Sequence, residues 1–141
     1  MPIQSVPFGP GTVTVLTVPV NIEAEVLGGK ITHAYEDVGE SHTHMDGSDH
    51  PASRKRSDGV SLAVENDLTD AGIYALLQEH DLEQVPIVYT PNTAAAASWA
   101  GTVQLSLPAE IGADEFGAYI VSAVEWVGVG KFTFTPGTAT P

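Results

Sequence analysis

Apolar residues recur at every second position in three stretches of the chain and at helical spacing in a fourth. Val60, Leu62 and Val64 alternate with Ser61, Ala63 and Glu65. Val85, Ile87 and Tyr89 repeat the pattern, and Trp99, Gly101, Val103, Leu105 and Leu107 extend it furthest. A side-chain period of two marks a strand with one buried face. Ile73, Leu76, Leu77 and His80 instead fall at i, i+3, i+4 and i+7, which predicts a short amphipathic helix laid against a sheet. Asp67 or Thr69 is placed to cap that helix, and Asp70 in its first turn suits the dipole. Pro86 has no amide hydrogen to donate, so its strand is expected at an edge or without a partner at that residue.

The flanking segments read less sharply. Residues 1–11 carry Pro2, Pro7, Pro10, Gly9 and Gly11 and predict an extended arm. Thr12 to Val20 is rich in β-branched residues, and Ile22 to Leu27 continues it. Gly28-Gly29 has turn chemistry, and Lys30 to Tyr35 is read as the returning strand, so residues 12–35 are expected to form a β-hairpin. Asn92 to Ser98 predicts a hairpin tip. Tyr119 to Val127 and Lys131 to Thr135 predict a last hairpin through Gly128-Val129-Gly130, with a frayed tail at 136–141. Residues 36–59 have almost no apolar content, and a loop this long in a compact domain is usually functional or disordered. It is read as a projecting interaction loop. The expected fold is a single mainly β domain over 1–141, an antiparallel β-sandwich or barrel, with one flanking helix and a strand-helix-strand core over 60–135.

Charge narrows the function. Eighteen acidic residues against five basic ones give a net charge of −13. Affinity for nucleic acid rests largely on neutralising phosphates with Lys and Arg, so a surface that grips DNA is not expected. An acidic wall would instead let a duplex slide past. Arg54-Lys55-Arg56 holds three of the five cations, too few for a nucleic-acid patch. Its two readings are contact with an acidic patch on a neighbouring copy and a solvated, flexible triplet. The absence of cysteine excludes disulfides and thiolate chemistry. The first residues carry no secretory signal, and no apolar run is long enough for a membrane helix.

Ligand chemistry is confined to His42-Thr43-His44-Met45-Asp46-Gly47-Ser48-Asp49-His50. His42, His44 and His50 are weak candidate metal ligands, set against a solvated loop whose imidazoles simply titrate. No Gly-x-Ser-x-Gly elbow or strand-following phosphate loop is present, and neither catalysis nor a cofactor is expected. Trp99, Trp126, Tyr74 and Tyr89 are read as core or interface anchors. Trp99 and Tyr89 are assigned, with Arg54, Lys55 and Arg56, to contacts between subunits.

The helix with Gly72-Ile73-Tyr74 ahead of Leu76-Leu77, the strand Val85-Pro86-Ile87-Val88-Tyr89 ending in Pro91-Asn92, and Trp99-Ala-Gly-Thr-Val103 leading to Glu125-Trp126 form a further pattern. Over residues 58–135 it resembles the major tail protein of long-tailed, non-contractile bacteriophages, the subunit of the tail tube. The resemblance implies a homo-oligomer of hexameric rings stacked into a tube, sheets joined around an acidic lumen, and DNA passing through without specific binding. It implies other tail proteins, such as the tape measure and terminator, as partners, no membrane, and location in the virion after assembly in the host cytoplasm. Two departures stand out: the glycine-rich turn after the Trp99 strand is only Ile111-Gly112-Ala113, and Glu125-Trp126-Val127-Gly128 lacks a later proline. They leave a tail terminator or a capsid decoration protein as related readings, with a metal-binding, cupin-like β-barrel enzyme more distant.

Overall fold

A computed structural model describes residues 5–16 and 20–137. The ends of the expected arm and tail therefore lie outside the described residues. In chain order, β1 (Thr12–Val15) and β2 (Val20–Asn21) precede a single 3-10 turn at Glu23–Glu25 and the long β3 (Val26–Val38). Short β4 (His42–Thr43) and β5 (Asp49–His50) lead to an equally long β6 (Ser53–Glu65) and the helix α1 (Ile73–Glu79). Then follow β7 (Gln84–Thr90), β8 (Ser98–Gln104), β9 (Ile111–Gly112), β10 (Val121–Gly128) and β11 (Thr133–Thr135). Nine strands share one antiparallel sheet in the order β2-β1-β7-β8-β10-β6-β3, with β11 along β8 and β9 along β10.

The sheet folds back on itself. Gly29 of β3 and Tyr89 of β7 have three strands between them in the order, yet a Cβ on Gly29 would lie 3.0 Å from the Tyr89 hydroxyl and 2.8 Å from Leu62. Val13, Val15, Ile87, Tyr89 and Val103 from one half thus meet Val60, Leu62, Val64, Val124 and Trp126 from the other. Ile73 and Leu77 of α1 join the same core. This is the expected β-sandwich class with its flanking helix, built from the predicted alternations.

Several connections differ from the sequence reading. Gly28-Gly29 is not a turn: it lies within β3, next to a bulge between Val26 and Gly28. Gly29 serves the close approach of the Tyr89 ring rather than a chain reversal. The strand at Thr12 therefore does not pair with Lys30 to Tyr35; its partners are β2 and β7. Residues 23–25 are helical rather than extended. Pro86 sits in an interior strand, but its side of the ladder is where β1 ends. The last β1 pair is Val15 with Ile87, and the Leu16 amide then donates to the Pro86 carbonyl at 3.1 Å. In an antiparallel ladder a residue's amide and carbonyl face the same neighbour, so the missing hydrogen forfeits only the reciprocal bond to Leu16 where β1 ends, and none to β8.

The final hairpin is also absent. Val127 and Gly128 pair with Gln104 and Val103, and Thr133 to Thr135 then pair with Ala100 to Ser98. β10 and β11 thus run end to end along β8 as one interrupted strand, with the Val129 amide bonded to the Thr102 carbonyl at 2.7 Å.

The helix cap comes from a distance. Gly72 holds the cap position without a side-chain bond, and the Glu25 carboxylate accepts from the Ile73 amide at 2.9 Å and the Asp67 amide at 2.7 Å. Asp67 and Thr69 are not the cap; they accept from the Thr69 and Ala71 amides and shape the preceding turn. An orphan amide at a helix start is worth about 1 kcal/mol when bonded. Glu25→Ala is therefore expected to lower the melting temperature by about 3–4 °C, read by circular dichroism. The reverse result, an unchanged Glu25→Ala melt beside a drop for Thr69→Ala, would return the cap to the local residue.

Candidate interaction surface

The polar segment expected to be a loop is a continuation of the sheet. β3 and β6 stay in register from Gly28 opposite Ala63 out to Val38 opposite Ser53. β10 leaves β6 at Gly59, so beyond that residue the two strands form a ribbon on their own. At its tip β4 and β5 pair, with His42 opposite His50. Nearly every side chain from Thr32 to Lys55 is exposed.

A lone two-stranded ribbon is marginal in water. This one is held by matched cross-strand pairs: Tyr35 faces Arg56, Glu36 faces Lys55 and Asp37 faces Arg54. The Arg54 guanidinium lies 4.8 Å above the Tyr35 ring and 3.6 Å from Asp37. Each such pair contributes roughly 0.2–1 kcal/mol. Arg54 and Arg56 of the basic triplet therefore have partners within their own subunit.

At the base of the ribbon sits Asp58, whose side chain is fully buried. Its Oδ1 is 2.6 Å from His33 Nδ1 and its Oδ2 accepts from the Phe132 amide at 2.7 Å. An ionised carboxylate only accepts, so the His33 Nδ1 carries the hydrogen. Arg56 Nε lies 3.2 Å from Oδ1, close enough for charge attraction but misaligned for a hydrogen bond. Burial pushes the Asp58 carboxyl up, but the bonds from His33 and Phe132 and the Arg56 charge outweigh it, and the carboxyl sits below its ordinary range. Asp58 thus clamps the root of the ribbon to the break between β10 and β11. A lone Asp in a polar run gives no sequence signal for this role.

At the tip, the His44 and His50 rings meet edge to face with centroids 6.3 Å apart. Asp46 accepts from the Ser48 hydroxyl and amide, which hold its carboxyl below the usual range, and Asp49 accepts from Thr43. Among the described residues no group of three or more His, Asp or Glu is arranged as a metal site.

The aromatic assignments divide. Tyr89 is 4% exposed, and burial raises its phenol pKa, so it serves the core of its own subunit. Trp99 is half-buried, stacked between Tyr89 at 6.1 Å and Phe134 at 5.0 Å, and Phe134 is exposed. Asn92 organises the tip before Trp99, donating to the Pro7 and Gly9 carbonyls and accepting from the Ala94 and Ala95 amides. The described part of the N-terminal arm is thereby tied to the body.

On the outer face, a groove of about 930 Å³ runs between β3, β6, β10 and β9. Leu27, Ala63, Ile111 and Val121 make its apolar lining, and its charged lining residues are Glu110 and Asp114. From Ser57 to Gly130 the chain holds eleven Asp and Glu residues and no Lys or Arg. The concentration of cations at 54–56 noted in the sequence thus leaves the segment that follows it wholly acidic in its charged Asp, Glu, Lys and Arg residues. No helix among the described residues is long and apolar enough to cross a membrane.

The sequence matches no protein-family model and no curated protein. Its fold is similar to that of a chain in the virion of a native gene transfer agent particle. The two superpose with a TM-score of 0.55 over 89% of this chain and 95% of the other, at 14% identity. Likeness at that identity is a likeness of fold.

Proposed function

We propose that this chain is a structural protein of a virion, specifically the tail tube subunit of a long-tailed phage or phage-like particle. In this reading the subunits close into hexameric rings, the rings stack, and DNA leaves through the lumen. The observation that carries it is the fold shared along nearly the whole of both chains with a virion protein. The free ribbon adds support, since an extended two-stranded arm with little to cover it is best stabilised by a neighbour. The role is architectural, without catalysis or cofactor.

Purified protein at raised concentration is expected to form long hollow tubes by electron microscopy. Isolated rings alone would favour a terminator, trimers a capsid decoration protein, and a monomer at every concentration would end the reading. The free subunit is expected not to shift duplex DNA in a low-salt gel titration. Its acidic body offers no positive track to release counterions, so binding should be weaker than the ~10⁻⁴ M limit of ordinary non-specific affinity.

A further inference from the structure

We propose that Asp46-Gly47, at the tip of the ribbon, is a site of self-modification, where the backbone closes on the Asp46 side chain and reopens as an isoaspartyl linkage. The same dipeptide at the ribbon's root, Asp58-Gly59, is shielded from that reaction by the fold. The chemistry belongs to the single subunit and goes beyond any role in assembly.

Asp is followed by Gly at these two places alone, and Asn is nowhere followed by Gly. The reaction is intramolecular. The Gly amide nitrogen attacks Cγ of the preceding Asp, a new N–Cγ bond forms, and the amide hydrogen and the carboxyl hydroxyl leave together as water. Water then adds to the five-membered imide at the old main-chain carbonyl and breaks the bond from that carbon to nitrogen. The chain now runs through Cγ, the former main-chain carbon ends as a carboxylate, and the mass is unchanged. Glycine favours the attack because no Cβ crowds its nitrogen.

Geometry separates the two sites. Asp46 is exposed, and a Cβ on Gly47 would meet nothing within 4 Å. The Ser48 amide and hydroxyl donate to Asp46 Oδ1 at 2.9 and 2.6 Å. Two donors on one oxygen stabilise the negative charge that gathers there as the nitrogen attacks, and they leave Oδ2 to depart. The Gly47 amide donates to the His44 carbonyl at 2.9 Å and must first break away. Only β4 and β5 hold that turn, through the pairs His42 with His50 and Thr43 with Asp49, and so short a hairpin opens readily in water.

Asp58 has none of this freedom. Its side chain is fully buried, with His33 on Oδ1 and the Phe132 amide on Oδ2. Gly59 pairs with Thr32 on one side and Val127 on the other, and a Cβ there would lie 2.9 Å from Thr32 Oγ1 and 3.0 Å from the Trp126 carbonyl oxygen. Swinging the Asp58 carboxyl onto the Gly59 nitrogen would break both of its bonds inside a strand paired on both edges.

The product alters the tip. An isoaspartyl residue adds one carbon to the main chain inside the turn that joins β4 to β5, so His42 and His50 lose their register, and a new carboxylate faces water.

The intact subunit is aged in mildly acidic buffer, because water leaves from the protonated carboxyl and the Ser48 hydroxyl and amide hold that of Asp46 below its ordinary value. Trypsin then separates the sites, releasing 31–54 with Asp46 and 57–131 with Asp58. The expected result is a second 31–54 peptide of equal mass and different retention, which accepts a labelled methyl group from an isoaspartyl carboxyl methyltransferase. It should accumulate at least tenfold faster than an isomer at Asp58, and the two rates should converge in strong urea. Asp46→Glu, which would need a six-membered ring, should abolish it. A 31–54 peptide that stays single, or an isomer that survives Asp46→Glu and so belongs to Asp37 or Asp49, would overturn the tip assignment. Equal rates at Asp46 and Asp58 in the folded subunit, or a gap that persists in urea, would overturn protection by the fold.

Discussion

Asp58→Ala is expected to be the most damaging single substitution outside the apolar core. It removes three contacts at a buried site, leaving the Phe132 amide unbonded, His33 Nδ1 without its acceptor and the Arg56 charge without its counterion. Removing one member of a buried charged pair costs about 3 kcal/mol at the low end of what is observed. With a urea slope of about 2 kcal/mol per M, the midpoint should fall by roughly 1.5 M. The pH dependence has a definite sign. A carboxyl held below its ordinary value binds its proton less readily in the folded state, so its contribution is present above the unfolded value of 3.8 and is lost as pH falls through the folded one. The gap between the parent protein and Asp58→Asn should therefore be full at neutral pH and close in strong acid. Equal urea midpoints at pH 7 would show that the buried contacts contribute nothing net.

Shortening the ribbon should have the opposite profile, with a small effect on the subunit and a large one on assembly. Replacing Glu36 through Lys55 by Asn-Gly joins Tyr35 to Arg56 by a two-residue turn suited to an antiparallel pair. The cut spares His33, Arg56 and Asp58, and it removes mostly exposed side chains. Stability should change by about 0.5 kcal/mol or less, as for other surface changes. Tubes should be lost. A deletion of Gly39 through Ser57 would be a poorer experiment, because it takes Arg56 from the Asp58 cluster and confuses folding with assembly. Normal tubes from the shortened chain would remove the ribbon from any role between subunits.

The parts of this fold legible in the sequence were those where one chemical pattern has one structural meaning. Alternation at Val60, Val85 and Val103 placed three core strands, and the spacing of Ile73, Leu76 and Leu77 placed the helix. Glycine was misread because its two uses look alike in sequence: Gly28-Gly29 had turn chemistry, but the structure uses the missing side chain of Gly29 against Tyr89. The ribbon was misread because burial was taken as the only signature of a strand. Its signal is a mirror in charge, with Glu36-Asp37 before the polar stretch matched by Arg54-Lys55 after it, and that mirror marks the antiparallel register. Long-range polar contacts such as Glu25 to Ile73 and Asp58 to Phe132 leave no local pattern, because each depends on strands already being in place. The histidine segment was legible as exposed and polar, while the pairing of His42 with His50 emerges only from the ribbon's register.

The segregation of cations has a practical corollary for handling the protein. A protease that cuts only after Lys or Arg finds no cleavage point from Ser57 to Gly130, and three of its sites crowd together on the exposed ribbon. Nicking there parts the backbone without removing a core strand, so the severed halves remain zipped together by the sheet. The extent of tryptic nicking is therefore a gauge of whether the ribbon is covered, and on a denaturing gel its fragments differ in size from those of the two other sites, the exposed Lys30 and Lys131.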